Sequence, residues 1–333
     1  MKQYTVAVLG VTGAVGQTML EVLQQRNFPV GSLVPLASSR SAGSTVLFRG
    51  QEVPVEEARP EAFAGVDIVL GASDNDTALA LAPAITAAGA VFIDNSSAFR
   101  MDPNVPLVVP EVNPADAALH RGIISNPNCT TAITLTAVHA LHRLSPIRAM
   151  VASTYQAASG AGAAGPVELR QQLEATLRGE AVPCQVFAHP LAYNLIPQIG
   201  NEQAHGYTAE EMKLHYEGRK ILHRPDLKVS CTCVRVPVER SHSISVRVTL
   251  ERPITLPQAR EAIAAAPGCK LVDDLPHLQY PMPLNTSGQD LVFVGRIRPD
   301  LADPCSLNLW CCGDQLRKGA ATNAIQIAEL LIH

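Results

Sequence analysis

Hydrophobic positions near the start of the chain change from a strand period to a helix period. Tyr4–Leu9 is a short apolar run rich in β-branched residues, and a glycine-rich turn follows it. Ala14–Gln25 then repeats apolar residues on one helical face. The order of strand, tight turn and helix is typical of the beginning of a mononucleotide-binding fold.

The same alternation continues through the first third of the chain. Short apolar runs separated by a helical pattern predict further parallel strands with crossover helices. The predicted strands cover residues 33–36, 67–70, 91–93 and 123–124, and the predicted helix covers residues 77–88. This pattern favours an α/β domain with a doubly wound parallel sheet.

Beyond residue 147 the pattern changes to longer alternating runs. Residues 229–238 and 243–250 are joined by a short polar turn at 239–242, and such a pair predicts an antiparallel sheet in a second domain. Helical patterns occur near 167–177 and again at 319–331. The last of these has the apolar spacing of a docked helix, so we expect it to return to the first domain.

Composition narrows the class of protein. The chain has 333 residues, 47% of them hydrophobic and 17% charged, with a net charge of -4, which predicts about two globular domains. The even charge mixture and the 4% aromatic content disfavour nucleic acid and membrane surfaces as partners. The most apolar stretch, 79–93, is broken by Pro83 and Gly89, and no signal-peptide core follows Met1, so we expect a cytoplasmic protein.

The eight cysteines show neither a disulfide framework nor zinc-ligand spacing, so we expect no metal. Cys231 and Cys233 share one face of a predicted strand, and Cys311 and Cys312 are adjacent, which favours small core residues. Cys129 differs because it opens a helical run after a short strand. A helix N-terminus stabilises a thiolate, although a buried structural cysteine is the alternative from the residues alone.

The glycine turn at 10–16 predicts a dinucleotide site. Its three glycines follow a strand and open a helix, where backbone N–H groups can hold a pyrophosphate; an ordinary tight turn is the alternative. No Asp or Glu lies between Glu21 and Glu52, so the acid that binds the NAD ribose about 20 residues after the glycines is missing. Ser38–Arg40 offers hydroxyls and a guanidinium instead. We therefore expect NADP rather than NAD, unless Arg40 is only a solvated loop residue.

These motifs, taken in order, resemble those of the aspartate-semialdehyde dehydrogenase family over nearly the whole chain. Beyond the glycine turn, the matching blocks are 39–43, 94–97, 108–113, 127–129, 153–156, 159–162, 210–213, 235–238, 241–243 and 293–298. The resemblance implies an N-terminal Rossmann-like dinucleotide-binding domain and an α+β catalytic and dimerisation domain with a mixed, largely antiparallel sheet. The implied domains are 1–128, completed by about 315–333, and 129–314, in a homodimer.

The resemblance also implies roles for individual residues. Cys129 would be the nucleophile and His242 the acid–base histidine. The substrate and phosphate residues would be Arg100, Asn128, Gln156, Glu210, Lys213 and Arg235. The cofactor residues would be Gly10, Thr12, Gly13, Ala14, Val15, Ser38, Ser39, Arg40, Ser41, Ser159, Gly160 and Asn323. One departure is Thr130, where many members place Ser, and both residues open helices well.

Several of these residues have a second interpretation from chemistry alone. His242 has no preference over His189 or His205 without the family. Arg235, on an apolar strand, needs an anion that is either a ligand or a structural carboxylate. Lys213 and Glu210 are three residues apart on a predicted helix and can pair with each other. Arg100 follows a strand at the ligand-binding edge of the sheet, and Gln156 ends a strand before a glycine-rich loop, which also suits a turn.

The activity that the resemblance implies is NADPH-dependent reduction of L-aspartyl 4-phosphate to the semialdehyde through a cysteine thioacyl intermediate, with release of phosphate. This reaction leads to lysine, threonine, methionine and diaminopimelate. Two alternatives stay open: N-acetylglutamyl-phosphate reductase, and a paralogue that binds NADP without catalysis. The ammonium-binding Glu210 argues against the first, and the presence of both Cys129 and His242 argues against the second.

Overall fold

A computed structural model of the chain describes residues 2–332 and separates them into two units. The first unit extends to Asn128 and resumes at Gly319, and the second is Cys129–Lys318. Residues 1 and 333, which the predicted domain ranges include, lie outside the described part. No helix within residues 2–332 combines the length and the apolar character needed to cross a bilayer.

The first unit alternates short strands with helices. Its strands are β1 (Tyr4–Leu9), β2 (Val30–Ala37), β3 (Thr45–Phe48), β4 (Gln51–Pro54), β5 (Glu56–Glu57), β6 (Ile68–Gly71), β7 (Val91–Asp94) and β8 (Ile123–Ser125). Its first two helices are α1 (Ala14–Gln25) and α2 (Asn75–Ala87). The predicted strands and helices all overlap these elements, and the predicted bounds of β1 and α1 are those observed.

Six of these strands form one parallel sheet in the order β5-β2-β1-β6-β7-β8. Val6 and Val8 of β1 pack in a core that includes α1, while Ala7 and Leu9 pack in a core that includes α2. Alternate residues of a strand point to opposite faces, so helices cover both sides of the sheet. The strand order reverses direction between β1 and β6, and ligands bind at such a point in this class of fold. The predicted doubly wound parallel sheet is confirmed.

The hairpin of β3 and β4 was not predicted from the sequence. Its turn is Arg49–Gly50, with φ of 51° and 77°. Two-residue hairpin turns need positive φ at both positions, and Asn-Gly or Asp-Gly is their usual signal. Because arginine occupies the first position of this turn, the sequence lacks that signal.

The second unit contains a six-stranded sheet and five helices. The strands are β9 (Ile147–Gln156), β10 (Lys228–Arg235), β11 (His242–Leu250), β12 (Cys269–Leu271), β13 (Val292–Pro299) and β14 (Ser306–Gly313). The helices are α3 (Cys129–Leu144), α4 (Ala164–Arg178), α5 (Ala209–Ile221), α6 (Leu256–Ala264) and α7 (Pro283–Thr286).

The sheet of the second unit is mixed, in the order β10-β9-β11-β14-β13-β12. β10 with β9 and β12 with β13 are parallel, and the other neighbours are antiparallel, which confirms the predicted mixed, largely antiparallel sheet. The prediction that β10 and β11 pair with each other was wrong, because β9 lies between them. In the connection between β10 and β11, the Val236 N–H donates to the carbonyl oxygen of Gln156. Carbonyl oxygens of the same connection accept from the N–H groups of Ala158 and Ser159, which follow β9.

The C-terminal segment belongs to the first unit. It was predicted as one helix over 319–331, but it begins with a π-helical turn at Arg317–Ala321 and continues as α8 (Thr322–Glu329). Ile325 and Ala328 of α8 lie in the same core as α1. Arg26 donates to Glu329 at 2.6 and 2.7 Å, which fixes α8 against the end of α1.

Candidate functional site

The glycine turn after β1 has the close backbone packing that a dinucleotide site requires. Gly10 has φ of +84°, and a Cβ there would lie 2.6 Å from the Ala72 carbonyl oxygen. A Cβ on Gly16 would lie 2.3 Å from the carbonyl oxygen of Gly10. These two positions accept only glycine. The turn leaves Thr12 and Gly13 exposed and Ala14 and Val15 half-buried at the start of α1, where unpaired N–H groups favour a pyrophosphate.

A second turn follows β2, the neighbour of β1 in the sheet. The backbone N–H groups of Ser41 and Ala42 donate to the Ser38 carbonyl oxygen at 2.9 and 3.0 Å, which closes the turn. Ser38, Ser39 and Arg40 are exposed at its tip. Because β1 and β2 are parallel, this turn and the glycine turn lie at the same edge of the sheet. Hydroxyls and a guanidinium at this place fit an adenosine ribose that carries a 2′-phosphate.

A buried amide network lies in the same unit. Asn323 of α8 is fully buried and donates to the Val108 carbonyl oxygen at 2.9 Å and to Asn126 Oδ1 at 2.6 Å. Asn126 in turn donates to Asn95 Oδ1 at 2.6 Å. The predicted contact of Asn323 with a cofactor thus involves a side chain that also donates these two hydrogen bonds within the unit.

Arg100 is attached to this network through its guanidinium. It donates to the carbonyl oxygens of Asn126 at 3.0 Å and Asn95 at 2.7 Å, and it is 7% exposed. The charge of Arg100 also acts on the buried carboxyl group of Asp94, whose pKa it helps to lower against the effect of burial. Asn128, the last residue of this unit before Cys129, is also buried.

In the second unit, Cys129 is the first residue of α3 and is half-buried. The next residue, Thr130, accepts at Oγ1 from Gln156 Nε2 at 3.1 Å. The same Nε2 donates to Glu210 Oε1 at 3.2 Å. Gln156 at the end of β9 therefore connects the beginning of α3, where Cys129 lies, to the beginning of α5.

Glu210 has a second partner on its own helix. Lys213 Nζ donates to Glu210 Oε2 at 2.8 Å, with 33% and 9% of the two side chains exposed. The pairing that the sequence left open is thus present. In this pairing, part of the Lys213 side chain stays exposed to solvent, and an anion from solution can reach it there.

Arg235 and His242 both bind the backbone of one residue, Ala157. Arg235 Nη1 donates to the Ala157 carbonyl oxygen at 2.7 Å, and the Ala157 N–H donates to His242 Nδ1 at 3.1 Å. Gly160 packs against both side chains, since a Cβ there would lie 2.5 Å from Arg235 Nη1 and 3.1 Å from His242 Cε1. Residue 160 must therefore be glycine for this arrangement to exist.

Electrostatics link these side chains to Cys129. Burial lowers the pKa of Arg235, while the nearby Cys129 and Glu210 oppose that shift. No carboxylate among residues 2–332 forms an ion pair with Arg235 within 4.0 Å, so the structural partner that the sequence allowed is not found there. Burial also lowers the pKa of His242 to about 3, and the charge of Arg235 acts in the same direction.

The second unit thus brings together most of the predicted catalytic and substrate residues, namely Cys129, Gln156, Glu210, Lys213, Arg235 and His242. Gly160 lies against them, and Ser159 precedes it. The first unit contains Arg100, Asn128 and the remaining predicted cofactor residues.

Gln315 is a residue at this site that the sequence did not indicate. Its Oε1 accepts from the Ser241 N–H at 2.9 Å, and its Nε2 donates to Ser159 Oγ. Ser241 has φ of 74° and is fully buried directly before His242. Gln315 therefore holds a backbone conformation that a non-glycine residue rarely adopts. Nothing in the polar segment Asp314–Gln315 distinguishes it in sequence from an ordinary loop.

The remaining cysteines of interest lie in the interior. Cys231 and Cys233 are buried with their sulfur atoms 3.8 Å apart, and Cys311 and Cys312 are fully buried. Burial raises the pKa of Cys311 and Cys312, which keeps both as neutral thiols. Among the described residues, no group of three or more His, Cys, Asp or Glu side chains has the arrangement of a metal site.

Comparisons with known proteins match both parts of the chain to described protein families. Residues 5–120 match the family model described as "Semialdehyde dehydrogenase, NAD binding domain", and residues 138–318 match "Semialdehyde dehydrogenase, dimerisation domain". Aspartate-semialdehyde dehydrogenase of Synechocystis is 50% identical, covering 98% of this chain and 97% of that protein. The Bacillus subtilis protein of the same name is 47% identical, with 98% and 96% covered.

Solved structures give the same result. Aspartate semialdehyde dehydrogenase II of Vibrio cholerae, complexed with ASA, superposes with a TM-score of 0.97 at 42% identity, covering 99% of this chain and 98% of that one. Aspartate semialdehyde dehydrogenase with NADP from Candida albicans has a TM-score of 0.79 at 25% identity, also covering 99% and 98%.

Proposed function

The chain belongs to the aspartate-semialdehyde dehydrogenase family, and on that basis we propose that it reduces L-aspartyl 4-phosphate to L-aspartate 4-semialdehyde with NADPH, through a thioacyl intermediate on Cys129. The observation that carries the proposal is the hydrogen-bonded connection from Thr130, beside Cys129, through Gln156 to Glu210. It connects the residue next to the candidate nucleophile to the carboxylate of Glu210, a candidate substrate-binding residue. The reaction supplies the semialdehyde from which lysine, threonine, methionine and diaminopimelate are made.

The residues of the first unit fit a nicotinamide dinucleotide. Gly10 and Gly16 permit the close backbone approach, the start of α1 offers N–H groups, and the turn at Ser38–Ser41 receives the adenosine end. Ser159, Gly160 and Asn323 complete the proposed set. When bound, the nicotinamide carries the hydride that the reaction consumes or releases. The NADP bound to the Candida albicans relative supports NADP as the cofactor.

Cys129 provides the covalent step. Its thiolate forms a bond to the acyl carbon of the aspartyl phosphate, and the carbon–oxygen bond to phosphate breaks. The start of α3 and the nearby cationic Arg235 both favour the charged sulfur. The resulting thioacyl group then takes up hydride, and the carbon–sulfur bond breaks to release the semialdehyde.

The substrate is held by charges of opposite sign. Arg235, with its second guanidinium nitrogen still available, binds the substrate carboxylate, and Glu210 binds the ammonium group. Gln156 orients Glu210 from the other side. Arg100, Asn128 and Lys213 bind the phosphate.

Two other functions were compatible with the sequence. An N-acetylglutamyl-phosphate reductase would act on an acylated substrate, which has no ammonium group for the buried Glu210 to bind. A non-catalytic paralogue would have no need for Cys129 and His242. Incubating the protein with NADP, phosphate and either aspartate semialdehyde or N-acetylglutamate semialdehyde tests this: we expect NADPH only with the first, and NADPH only with the second would contradict the proposal.

We also propose that the protein is a homodimer, on the basis of the family description of residues 138–318 as a dimerisation domain. The cytoplasmic location, and the absence of nucleic-acid or membrane partners, stay predictions from the sequence.

The cofactor preference depends on Arg40 and can be tested by substitution. Arg40→Ala should weaken NADP binding by about 1.5–3 kcal/mol, roughly tenfold to a hundredfold in Kd, because a charge-assisted contact to the 2′-phosphate is lost. NAD binding should change little. Titration calorimetry with both cofactors measures this, and Arg59→Ala, an exposed arginine that pairs with Glu57, is the control. Equal loss of both cofactors would mean that Arg40 only supports its turn.

The phosphate site predicts a different kinetic effect. Lys213→Ala should raise the phosphate concentration needed for semialdehyde oxidation by roughly tenfold or more, because a charged contact to the anion is lost. A single-turnover burst of NADPH should persist, since phosphate acts only after the thioacyl group has formed. Arg100→Lys should shift the same parameter, and Lys228→Ala, at an exposed strand start, is the control. An unchanged phosphate requirement in both variants would place the phosphate elsewhere.

A further inference from the structure

Ser241, the residue directly before His242, has a backbone conformation that serine rarely adopts. Its φ is 74°, in the left-handed region, and the residue is fully buried. A non-glycine residue keeps such a conformation only where the surrounding structure enforces it. Because β11 begins at the next residue, the position of His242 depends on the groups that hold Ser241.

The turn that contains Ser241 is held through both its backbone and its side chains. The Ser241 N–H donates to Gln315 Oε1 at 2.9 Å, and Ser241 Oγ lies 3.1 Å from Ser287 Oγ. Ser287 Oγ also lies 3.3 Å from the carbonyl oxygen of Arg240. The Arg240 side chain donates from Nε to Asp314 Oδ2 at 2.7 Å. The partners of this turn therefore come from two distant segments of the chain.

The carboxylate of Asp314 also fixes these two segments. It is fully buried, and its Oδ2 accepts from the N–H of Gly288, next to Ser287, at 2.6 Å. Its Oδ1 accepts from the N–H of Leu316, next to Gln315, at 2.9 Å. One carboxylate thus holds the turn through an ion pair and also holds both segments that supply the other contacts.

The chemistry of these contacts requires a carboxylate at residue 314. Every donor named here, three from two segments and the turn, points at one of its two oxygens. An asparagine side chain has the same shape, but it offers a single acceptor oxygen and would direct its own N–H groups at one set of donors. A buried carboxylate is also stable only while its cation and N–H donors are in place.

His242 lies where a change in this arrangement takes effect. It pairs with Gly313, the residue before Asp314, at the end of the β11–β14 ladder. Its Nδ1 accepts from the Ala157 N–H at 3.1 Å, a distance that a shift of the ring would not preserve. A displacement of about 1 Å in a reacting group can cost roughly 10²-fold in rate.

We propose that Asp314 is a positioning residue for His242. By holding the turn and its two neighbouring segments, the Asp314 carboxylate keeps Ser241 in the left-handed conformation and so sets the place at which β11 begins. Asp314 acts through the backbone and has no need to touch the substrate. The proposal rests on the proposed function, in which His242 has the acid–base role that the family resemblance implies.

Two substitutions remove the contacts of this carboxylate to different extents. Asp314→Asn should lower kcat for aspartate semialdehyde by about 10²-fold, the effect of a misplaced reacting group, with little change in KM. Arg240→Leu removes the ion pair alone, at a side chain that is 36% exposed, and should lower kcat by roughly tenfold. Arg170→Leu is the control, since Arg170 pairs with Glu239 of the same turn at an exposed position, and its kcat should be unchanged.

Ser241→Gly distinguishes positioning from a loss of stability. Glycine adopts positive φ without strain, so it needs no enforcing contacts. Added to Asp314→Asn or to Arg240→Leu, it should restore most of the lost kcat. A loss of kcat that glycine does not restore, or an unchanged kcat in Asp314→Asn, would overturn the proposal. If Asp314→Asn does not fold, Arg240→Leu with and without Ser241→Gly decides by the same criterion.

Crystal structures of the folded variants test the proposal without reference to activity. We expect residue 241 of Asp314→Asn, or of Arg240→Leu in its place, to leave the left-handed region, and the hydrogen bond from Ala157 to His242 to be lost. An unchanged φ and an unchanged hydrogen bond would overturn the proposal whichever substrate the protein uses. Inactivity of the unmodified protein with aspartate semialdehyde would instead contradict the proposed function.

Discussion

Cys129→Ala is expected to eliminate steady-state NADPH formation from aspartate semialdehyde, with a loss of roughly 10⁴-fold or more, because no other group can form the covalent intermediate. The reason is structural as well as chemical. Cys129 is half-buried at the start of α3, whereas Cys231, Cys233, Cys311 and Cys312 are buried in the interior. None of them can replace the lost thiolate.

Cys129→Ser separates nucleophilicity from side-chain volume. A serine hydroxyl is far less ionised than a thiol, so this variant should be almost as inactive as the alanine variant. Both variants should bind NADP and unfold at nearly the unmodified temperature. Cys184→Ala removes an exposed thiol and should retain full activity. Substantial turnover by either Cys129 variant would remove the thioacyl mechanism.

Arg235→Leu is expected to give the second largest loss, a fall of roughly 150- to 5000-fold in kcat/KM, which corresponds to the roughly 3–5 kcal/mol cost of breaking a buried charge pair. The substitution removes the proposed carboxylate partner and leaves the Ala157 carbonyl oxygen without its donor. Because the same peptide positions His242, kcat should fall together with the rise in KM. Steady-state kinetics with aspartate semialdehyde measures both parameters.

Arg235→Lys distinguishes charge from geometry at this position. A lysine keeps the positive charge but cannot donate to the Ala157 carbonyl oxygen and to a carboxylate as a planar fork does. We expect partial recovery of KM and little recovery of kcat. Arg178→Leu, at an exposed position on α4, is the control and should leave both parameters unchanged. Full activity of Arg235→Leu would assign the substrate carboxylate to another residue.

Local patterns were sufficient to predict the main parallel strands and the helices α1 and α2 of the first unit, but not its β3–β4 hairpin. The hydrophobic positions of β1 and those of α1 each follow a single pattern along the sequence. The glycines between them meet a backbone requirement that only glycine satisfies. In the second unit, local pattern failed at the pairing of β10 with β11. Which strand lies between two others depends on hydrogen bonds between distant segments, here from Ala158 and Ser159 to the connection after β10.

The candidate site shows the same division. Motifs that resemble the family indicated Cys129, His242 and the residues around them. The pairing of Lys213 with Glu210 followed from their helical spacing, and it is present. The roles of Ala157 and Gln315 could not be predicted. Ala157 acts through its backbone groups and Gln315 through contacts of a loop, and neither kind of contact can be predicted from the residue type. The hydrogen bond that His242 accepts at Nδ1, too, comes from a peptide 85 residues away in sequence.

Rapid mixing of the protein with NADP and aspartate semialdehyde, first without phosphate and then with it, tests whether the reaction passes through a thioacyl group on Cys129. We expect a burst of about one NADPH per chain without phosphate, because one Cys129 thiol is acylated and then waits. Added phosphate should convert the burst into continuous turnover. Continuous turnover at the same rate without phosphate, or no NADPH under either condition, would contradict this mechanism.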